Sequence, residues 1–522
     1  MIPETHFKKT ALLSVADTTG IVEFAQGLRD AGFRIIASGL TAKTLREARI
    51  GVEDVAEFTR YPELCGGRVR LLHPALFGGL IADRKDGDQM RSLDREKIPP
   101  IDLLAVTLYP LSQVLEAGTL SEGEVVDFLD VAGAALLRAG ARSYHHAITL
   151  CDPSDYAPTL DTLKLGKSLT LERRKALASK AFTYISYYDS TIAQHLKAAV
   201  VAAEQPDEMI VSLKKATELH YGENPQQSAA LYSWSGARPW GLNAAELLYG
   251  KPLAYTHLLS MDHALELAAE FQAPACVMVK YGNPAGVATT ERVGDAARWA
   301  YESDPEGCTG AVAAFNREVD AEAAAALSHE YLECIVASEF SGEALTILRA
   351  KRNVRLVRLP SLLASAKESD LKTVAGGVLI QDKDLPQPPG QFKTVTKRLP
   401  GELEKAALEL AWRVAKHAKT HAAVLSNPLQ TLGIGAGQVT RLDAVRLAIV
   451  KSQERHPVVP PNSPRVLGCD GWISPQEIRE AAEHGIAAII HPGGSSEDKE
   501  GIAAADEFGL AMIFTGRRHF RL

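Results

Sequence analysis

Cysteine is scarce in this sequence, and no two cysteines are close neighbours. The 522 residues include six cysteines, and none of them forms a CxxC pair. This spacing argues against a disulfide framework and against the usual structural zinc motifs. Scattered thiols are typical of a reducing compartment, so we expect a cytoplasmic protein. The six are Cys65, Cys151, Cys276, Cys308, Cys334 and Cys469.

Long apolar runs and an excess of positive charge are also missing. The opening segment MIPETHFKKTALLSVAD is too polar for a signal peptide, and no run approaches the ~18 apolar residues of a membrane span. The 57 Lys and Arg residues face 64 Asp and Glu residues, which gives a formal net charge of −7. We therefore expect small-molecule partners and no nucleic acid or membrane.

The remaining composition is ordinary for a folded protein. Hydrophobic residues make up 46% of the chain and charged residues 23%. At roughly 150 residues per domain, the length suggests two to four domains. The first region alternates short apolar runs such as TALLSVAD with helical spacing, as at Ile21, Phe24 and Leu28. This alternation predicts an α/β fold with a parallel sheet.

The second region begins after a polar, proline-containing segment, EQPDEMI. It holds further α/β units around ACVMVKYGNPAG, ECIVASEF and GVLIQDKD, with proline-rich breaks at LPQPPGQF and HPVVPPNSPRV. We place the domains at residues 1–198 and 199–522. Whether the second domain consists of two similar halves stays open, because no internal sequence repeat is visible.

Three familiar signatures are incomplete. LKLGKS looks like the end of a phosphate-binding P-loop, but Asp161 occupies the place of its first glycine. The glycines of GIGAGQ lack the spacing of a dinucleotide fingerprint, and the HxE…PCxxC pattern of zinc deaminases is absent. The sequence therefore predicts neither of those cofactor sites and no bound metal.

One candidate phosphate site lies near the beginning of the chain. Ser14 and the segment SGLTAK, with Ser38, Gly39 and Thr41, come where a strand ends and a helix begins. Backbone amides and hydroxyls at helix N-termini favour phosphate. The alternative is that these hydroxyls only cap helices.

Three further motifs have little structural purpose in an ordinary loop. CGGRVRLLHP sets paired glycines beside Arg68, Arg70 and His73, although a solvated loop remains the alternative. HYGENPQQ is polar throughout. In VMVKYGNPAG, Lys280 lies at the end of an apolar strand, directly before a turn. Open α/β sheets bind ligands at the carboxyl ends of their strands. The alternative for Lys280 is a surface lysine at a strand end.

Together these motifs resemble a family of bifunctional enzymes of purine biosynthesis. Its members combine a transformylase for AICAR (5-aminoimidazole-4-carboxamide ribonucleotide) with an IMP cyclohydrolase. The resemblance covers nearly the whole chain, in one order. The motifs are GGRVRLLHP, TLYP, LDVAGAALLRA, HYGENPQQ, VKYGNPAGVA, FNREVD, GIGAGQVTR, HPGGS and IFTGRRHF.

The resemblance implies both fold and reactions. It implies an N-terminal domain like methylglyoxal synthase, followed by two cytidine-deaminase-like α/β halves without zinc. It also implies formyl transfer from 10-formyltetrahydrofolate to AICAR, then closure to IMP with loss of water, the last two steps of de novo purine synthesis. Family members are homodimers whose transformylase sites lie between subunits. The resemblance implies no required metal and leaves a supporting potassium ion open.

For ring closure, the resemblance implies a catalytic set of Arg70, Tyr109, Asp130 and Arg142. Arg70 and Arg142 stand where family members have lysine. An arginine can stabilise charge on oxygen but does not readily release a proton, so we expect Tyr109 and Asp130 to carry the proton transfers. The implied substrate-binding residues are Ser14, Ser38, Gly39, Thr41, Arg68 and His73.

For formyl transfer, the implied catalytic residues are Lys280, Tyr281 and His421. The family's Lys-His pair is Lys280-Tyr281 here, and a family asparagine is replaced by His421. This paired exchange predicts that His421 supplies the lost imidazole, within one side chain or one water molecule of Lys280. The implied substrate-binding residues are Tyr221, Gly222, Asn283, Gly435, Gln438 and Arg518, and the implied cofactor-binding residues are Asp470 and Trp472.

The substitutions keep two alternatives open. One is a relative that retains only one of the two activities. The other is a non-catalytic protein that binds AICAR-type or IMP-type nucleotides. An assay of both half-reactions separates these alternatives from the bifunctional enzyme.

Overall fold

The computed structural model describes residues 9–118, 120–199, 206–236, 239–361, 369–386, 392–456 and 463–522. The chain forms two compact units. The first comprises Met1–Lys214 with Ser233–Arg238, and the second comprises Lys215–Tyr232 with Pro239–Leu522. This division reflects packing alone. The domain boundary between residues 198 and 199, which was expected from the sequence, stays a prediction.

The first unit is built on a parallel sheet. Its strands are β1 (Lys9–Val15), β2 (Phe33–Ala37), β3 (Glu53–Asp54), β4 (Leu103–Thr107) and β5 (Ile148–Leu150). They lie in the order β3-β2-β1-β4-β5, and every neighbouring pair is parallel. This arrangement confirms the predicted α/β class.

Helices connect the strands of the first unit. They are α1 (Ile21–Asp30), α2 (Gly39–Glu47), α3 (Val55–Thr59), α4 (Pro74–Ile81), α5 (Gly87–Arg95), α6 (Leu111–Ala117), α7 (Glu122–Asp127), α8 (Val131–Arg142), α9 (Tyr156–Lys164) and α10 (Leu171–Ala199). Across the residues that the structure describes, no helix is both long enough and apolar enough to cross a membrane.

The sheet of the first unit is covered on both faces. Leu12 of β1 packs into one hydrophobic core, whereas Ala11 and Leu13 pack into the core on the opposite face. Burial of both faces explains why this strand is an unbroken apolar run. The strand order reverses between β1 and β4, and the crevice outside the carboxyl ends at such a reversal is where open α/β sheets bind ligands.

The second unit contains most of the remaining strands. Two strands, β6 (Leu213–Leu219) and β7 (Ala229–Trp234), pair with each other where the division falls. The others are β8 (Glu246–Tyr249), β9 (Ala275–Lys280), β10 (Asn283–Thr289), β11 (Ala311–Phe315), β12 (Leu332–Ala337), β13 (Arg355–Arg358), β14 (Ser369–Val374), β15 (Gly377–Asp382), β16 (Lys393–Thr394), β17 (Ala423–Ser426), β18 (Thr431–Gly435), β19 (Val466–Cys469), β20 (Ala488–His491) and β21 (Ala511–Phe514).

Its helices alternate with these strands. They are α11 (Tyr255–Ala268), α12 (Val293–Ser303), α13 (Pro305–Cys308), α14 (Ala321–Ala326), α15 (Gly342–Arg349), α16 (Glu402–His417), α17 (Arg441–Arg455), α18 (Pro475–Glu483) and α19 (Asp498–Glu507). Each half of the unit therefore contains a helix, an antiparallel hairpin and then three helix–strand steps, with the short α13 as an addition in the first half.

Two six-stranded sheets have the same internal plan. One has the order β10-β9-β11-β12-β13-β8 and the other, read from its opposite edge, β18-β17-β19-β20-β21-β16. In both, successive pairs are antiparallel, antiparallel, parallel, parallel and antiparallel. The second unit thus consists of two similar α/β halves, which the sequence left open.

The glycines of GIGAGQ have a packing role in the second half. A Cβ on Gly433 would lie 2.1 Å from the carbonyl oxygen of Ala448, and one on Gly435 would lie 2.0 Å from that of Ala444. Both glycines are on β18, and both alanines are on α17. The alternating glycines therefore let this helix pack directly against the strand.

Candidate active sites

The first candidate site begins at the carboxyl ends of β1 and β2. The Ser14 hydroxyl lies 3.1 Å from the Ser38 hydroxyl. Ser38 occupies the N-cap position of α2, but its hydroxyl makes no capping bond to the helix. The Ser38 hydroxyl therefore does not cap α2. Thr41 is committed to the strand, because its hydroxyl accepts a 2.8 Å bond from the Val15 amide. The two serines are thus the hydroxyls left for a ligand.

Arg70 reaches this edge through a gap between two glycines. A Cβ on Gly39 would lie 3.0 Å from the Arg70 guanidinium, and one on Gly67 would lie 2.9 Å from it. Both glycines have left-handed backbones, with φ of 52° and 83°. Arg70 also pairs with Glu63 at 2.7 Å. Gly39 of the SGLTAK segment and Gly67 of the CGGR motif therefore leave room for a guanidinium beside the start of α2.

Asp130 brings a carboxyl group into the electrostatic reach of Arg70. It caps α8 by accepting a 2.7 Å bond from the Gly133 amide. Burial raises the pKa of Asp130, and the capping bond and the charge of Arg70 oppose that rise. A buried carboxyl with a raised pKa next to a cation is a candidate for proton transfer.

Tyr109 follows β4 on the same side of the sheet. Its ring centroid lies 4.8 Å from that of Phe128, two residues before Asp130. The neighbouring motif residues are engaged locally. Arg68 pairs with Asp127 at 2.8 Å, and His73 caps α4 by accepting a 3.2 Å bond from the Ala75 amide.

Arg142 lies at the other end of α8 from Asp130. The helix has 12 residues between the cap at Asp130 and Arg142. At 1.5 Å per residue this separates them by about 18 Å along the axis. The catalytic role expected for Arg142 stays a prediction, and the helix length speaks against a place beside Asp130.

The second candidate site is built around the turn between β9 and β10. Lys280 pairs with Asn283 across the hairpin, and its ammonium group donates a 2.7 Å bond to the Thr309 carbonyl. Tyr281 has a left-handed backbone, and its side chain is 84% exposed. The Asn283 side chain accepts a 3.0 Å bond from the Lys419 amide. The turn is thereby tied to the segment that precedes β17.

His263 supports this turn from α11. Its Nδ1 lies 3.1 Å from the Gly282 carbonyl oxygen. Burial, followed by the charge of Arg521, lowers the pKa of His263 to about 4. His263 could not be found from the sequence, since a helix residue 19 positions from its partner carries no local signal.

His421 stands at the start of β17 and is held by Arg441. The Arg441 Nη2 atom lies 2.7 Å from His421 Nδ1. Arg441 belongs to the GIGAGQVTR motif, but no local pattern marks it as a site residue. Among the described residues, no hydrogen bond joins Lys280 to His421. Their expected separation by one side chain or one water molecule stays a prediction.

Asp470 lies behind Arg441 and is fully buried. Its carboxylate pairs with Arg441 and accepts bonds from the Thr420 hydroxyl at 2.5 Å and the Ala422 amide at 3.1 Å. These bonds give Asp470 an internal structural role. The cofactor contact expected for it stays a prediction.

An aromatic and cationic surface borders His421. The Arg518 guanidinium lies 4.3 Å from the Phe520 ring centroid and 5.8 Å from that of Trp472. The His421 ring meets Phe520 edge-on at 5.9 Å. Trp472 and Phe520 are exposed, so this surface offers flat groups on which an aromatic ligand can stack.

The remaining expected contacts lie in turns and strands of the second unit. Gly222 closes a turn through a 2.8 Å bond from its amide to the Gln227 carbonyl, and the Tyr221 carbonyl accepts a 3.3 Å bond from Tyr255. Gln438 exchanges backbone bonds with His421. The ligand contacts expected for Tyr221, Gly222 and Gln438 stay predictions. So does that of Gly435, for which the structure supplies a packing reason.

Comparison with protein families gives two matches. The family described as "AICARFT/IMPCHase bienzyme" matches residues 140–451. The family described as "MGS-like domain" matches residues 20–134, within the first unit. Together they extend over β2 to β5 of the parallel sheet, the β9–β10 and β17–β18 hairpins of the second unit, and Arg441.

Full-length relatives agree with the family match. "Bifunctional purine biosynthesis protein PurH" of Bacillus subtilis is 39% identical over 515 residues, covering 98% of this chain and 99% of the relative. The protein of the same description from Persephonella marina is 40% identical over 518 residues, with 98% and 99% covered. A solved structure described as "Crystal structure of ForH" is 36% identical and covers 36% of this chain and 98% of its own, with a TM-score of 0.32. The chain belongs to the AICARFT/IMPCHase bienzyme family.

Proposed function

We propose that this chain catalyses both reactions of its family. The first transfers the formyl group of 10-formyltetrahydrofolate to the amine of AICAR, and the second closes the formylated product to IMP. The observation that carries the proposal is the full-length relationship to bifunctional purine biosynthesis proteins, at 39% identity over 98% of the chain. The two candidate sites support it, because each presents groups suited to one reaction.

Ring closure is assigned to the first unit. The carboxamide nitrogen attacks the formyl carbon and a C–N bond forms. The formyl oxygen leaves as water, with one proton from the carboxamide nitrogen and one from the nitrogen that carried the formyl group. Arg70 stabilises charge on the oxygen, and Asp130 accepts a proton from the carboxamide nitrogen. Tyr109 returns a proton to the leaving oxygen. Ser14 and Ser38 bind the phosphate beside the start of α2.

Formyl transfer is assigned to the second unit. The AICAR amine attacks the formyl carbon and gives up one proton, the bond from that carbon to the folate nitrogen breaks, and the folate nitrogen takes up a proton. Lys280 and Asn283 present the turn to the nucleotide, with Tyr281 exposed beside them. The Trp472, Arg518 and Phe520 surface supports the flat rings of the folate by stacking.

The test is a pair of assays on the purified full-length chain. AICAR with 10-formyltetrahydrofolate should yield IMP, and the formylated intermediate alone should also yield IMP. Loss of the first reaction with retention of the second would leave a cyclohydrolase only. Loss of both, with AICAR or IMP still bound in a calorimeter, would identify a nucleotide-binding protein and overturn the proposal.

The proposal includes a homodimer. The ribbon of β14 and β15 leaves three apolar side chains exposed, and exposed apolar patches are typical of interaction surfaces. They are Val374, Val378 and Leu379. One chain has a mass of 56.2 kDa, and light scattering should give twice that mass. A monomer at assay concentration with full activity would contradict this part of the proposal.

The proposal also covers the cellular compartment and a supporting ion. We place the enzyme in the cytoplasm, where scattered unpaired cysteines are stable. Within the described residues, no group of three or more His, Cys, Asp or Glu side chains is arranged to hold a metal. Replacing potassium by sodium in the transformylase assay tests for a supporting potassium ion. Unchanged rates would remove it from the proposal.

A further inference from the structure

His421 has an imidazole whose two nitrogens have different surroundings. Nδ1 lies 2.7 Å from Arg441 Nη2. A guanidinium is always protonated and carries only donors, so Nδ1 must accept this bond. The neutral ring then carries its hydrogen on Nε2. In the described part of the chain, no protein group accepts a bond from Nε2.

Arg441 is fixed before it reaches His421. Its Nη1 donates to the Ala422 carbonyl at 3.0 Å and pairs with Asp470, which is fully buried. Gly471 makes room for it, because a Cβ there would lie 2.5 Å from Arg441 Nη2. Asp470, Arg441 and His421 form a chain of bonds in which each member orients the next.

Protonation of His421 is opposed by the same arrangement. Burial, followed by the charge of Arg441, lowers the pKa of His421. Asp470 and Glu477 act in the opposite direction with smaller effect. A proton on Nδ1 would also face the guanidinium directly and break the 2.7 Å bond. The neutral ring is therefore the form present around neutral pH.

We propose that Arg441 is a positioning residue that holds His421 in the Nε2–H form, so that His421 serves formyl transfer as a hydrogen-bond donor. This rests on the proposed function. It excludes a role for His421 as the base, because the lone pair of the neutral ring is occupied by Arg441. The group to which Nε2–H donates is the formyl oxygen, which gains negative charge when the amine attacks.

The first test reads the ring directly and needs no activity. Nitrogen NMR of the full-length protein labelled at histidine, with His421 assigned by its loss in His421→Asn, should show hydrogen on Nε2 and none on Nδ1. Arg441→Lys keeps a positive charge for Asp470 but cannot fill all three contacts. It should let the other tautomer appear. Hydrogen on Nδ1 in the unaltered protein would overturn the proposal.

The second test compares two substitutions at one position. His421→Asn retains an N–H donor and should keep formyl transfer within about tenfold, whereas His421→Ala should lose about 10²-fold, the usual effect of one missing oxyanion donor. An equal loss of formyl transfer in both variants would indicate that His421 acts as the base. No loss in either variant would show that His421 takes no part in the reaction. Both outcomes overturn the proposal.

The pH profile and the second activity complete the test. Between about pH 7 and 8, transfer by the unaltered protein and by His421→Asn should depend on pH in the same way, since a ring whose pKa is lowered from its usual value stays neutral there. An acidic limb that disappears in His421→Asn would contradict the donor role. Ring closure should be unchanged in both variants. If the unaltered protein transfers no formyl group, the proposed function fails while NMR still decides the tautomer.

Discussion

Arg70 in the first unit and Arg441 in the second both pair with a carboxylate, but their surroundings differ. The Arg70 side chain is 30% exposed and its partner Glu63 48%, whereas the values for Arg441 and Asp470 are 7% and 0%. Exposed pairs contribute about 0–1 kcal/mol and rearrange readily, so Arg70 can turn to a ligand. The buried Arg441 is committed to the protein and acts through His421.

The acids of the two units show the same contrast. Burial dominates at Asp130 and raises its pKa. Glu270 is also buried, but bonds and charge from His417 and Lys416 outweigh burial and lower its pKa to about 2. A carboxyl with a raised pKa suits proton transfer, and one held permanently ionised suits structure. Asp130 in the first site can therefore exchange a proton, whereas Glu270 in the second unit stays ionised and stabilises the fold.

The largest effect is expected for Asp130→Asn. Asparagine still accepts the bond from the Gly133 amide but takes up no proton, so ring closure should fall by about 10³-fold, within the range of a lost acid–base group. In the unaltered protein, ring closure should decline as pH falls through the raised pKa of Asp130. This acidic limb should be absent from the residual activity of the variant.

Formyl transfer is the internal control for Asp130→Asn. It should be unchanged, because the residues assigned to it belong to the other unit. Cyclisation of the formylated intermediate, followed by absorbance, measures the effect. A loss below tenfold would show that Asp130 is only the cap of α8.

The next effect tests the fixed charge of the second unit. Glu270 bonds to Lys416 and His417, each at 2.6 Å, and all three side chains are 7% exposed. Glu270→Gln leaves a buried lysine without its counter-charge, so the free energy of unfolding should fall by about 3 kcal/mol. The exposed Arg68–Asp127 pair is the matched control, and Asp127→Asn should change stability by less than about 0.5 kcal/mol.

The sign of the pH dependence follows from the lowered pKa of Glu270. Its ionised form stabilises the folded state above the unfolded pKa of about 4.3. That contribution is lost as pH falls toward the folded value of about 2. The stability difference between the unaltered protein and Glu270→Gln, measured by urea unfolding, should shrink over this interval. A constant difference would contradict the ion pair.

Local pattern was enough for the fold and for part of the first site. The apolar runs and helical spacing of the first region predict a parallel sheet, and the topological reversal places Ser14, Ser38 and Arg70 on one edge of it. The repeated plan of the second unit was not visible, because its two halves share strand order without shared sequence. Only the pairing of strands reveals it.

Charge pairs between distant segments could not be predicted. Glu270 and His417 are 147 residues apart, and Arg441 and Asp470 lie on different elements. Each residue alone reads as an ordinary polar side chain at the end of a helix or strand. The burial of Asp470 likewise becomes apparent only in the fold.

The smallest effect sharpens the account of Arg70. A Cβ on Gly67 would lie 2.9 Å from the Arg70 guanidinium, so Gly67→Ala should displace that group and slow ring closure by about tenfold, or 1.4 kcal/mol. The left-handed backbone, with φ of 83°, adds strain whatever residue 70 is. Arg70→Lys alone should remain active, because a cation near the oxygen is retained.

The double variant separates clash from strain. In Gly67→Ala with Arg70→Lys, the slimmer ammonium avoids the added methyl group, whereas the backbone strain is unchanged. Ring closure should therefore recover part of the tenfold loss, with kcat restored more than KM and formyl transfer constant throughout. If the double variant is slower than either single one, the guanidinium fork itself is needed at this site. Arg70 would then be as geometrically committed as Arg441, and the contrast between the two units would fail.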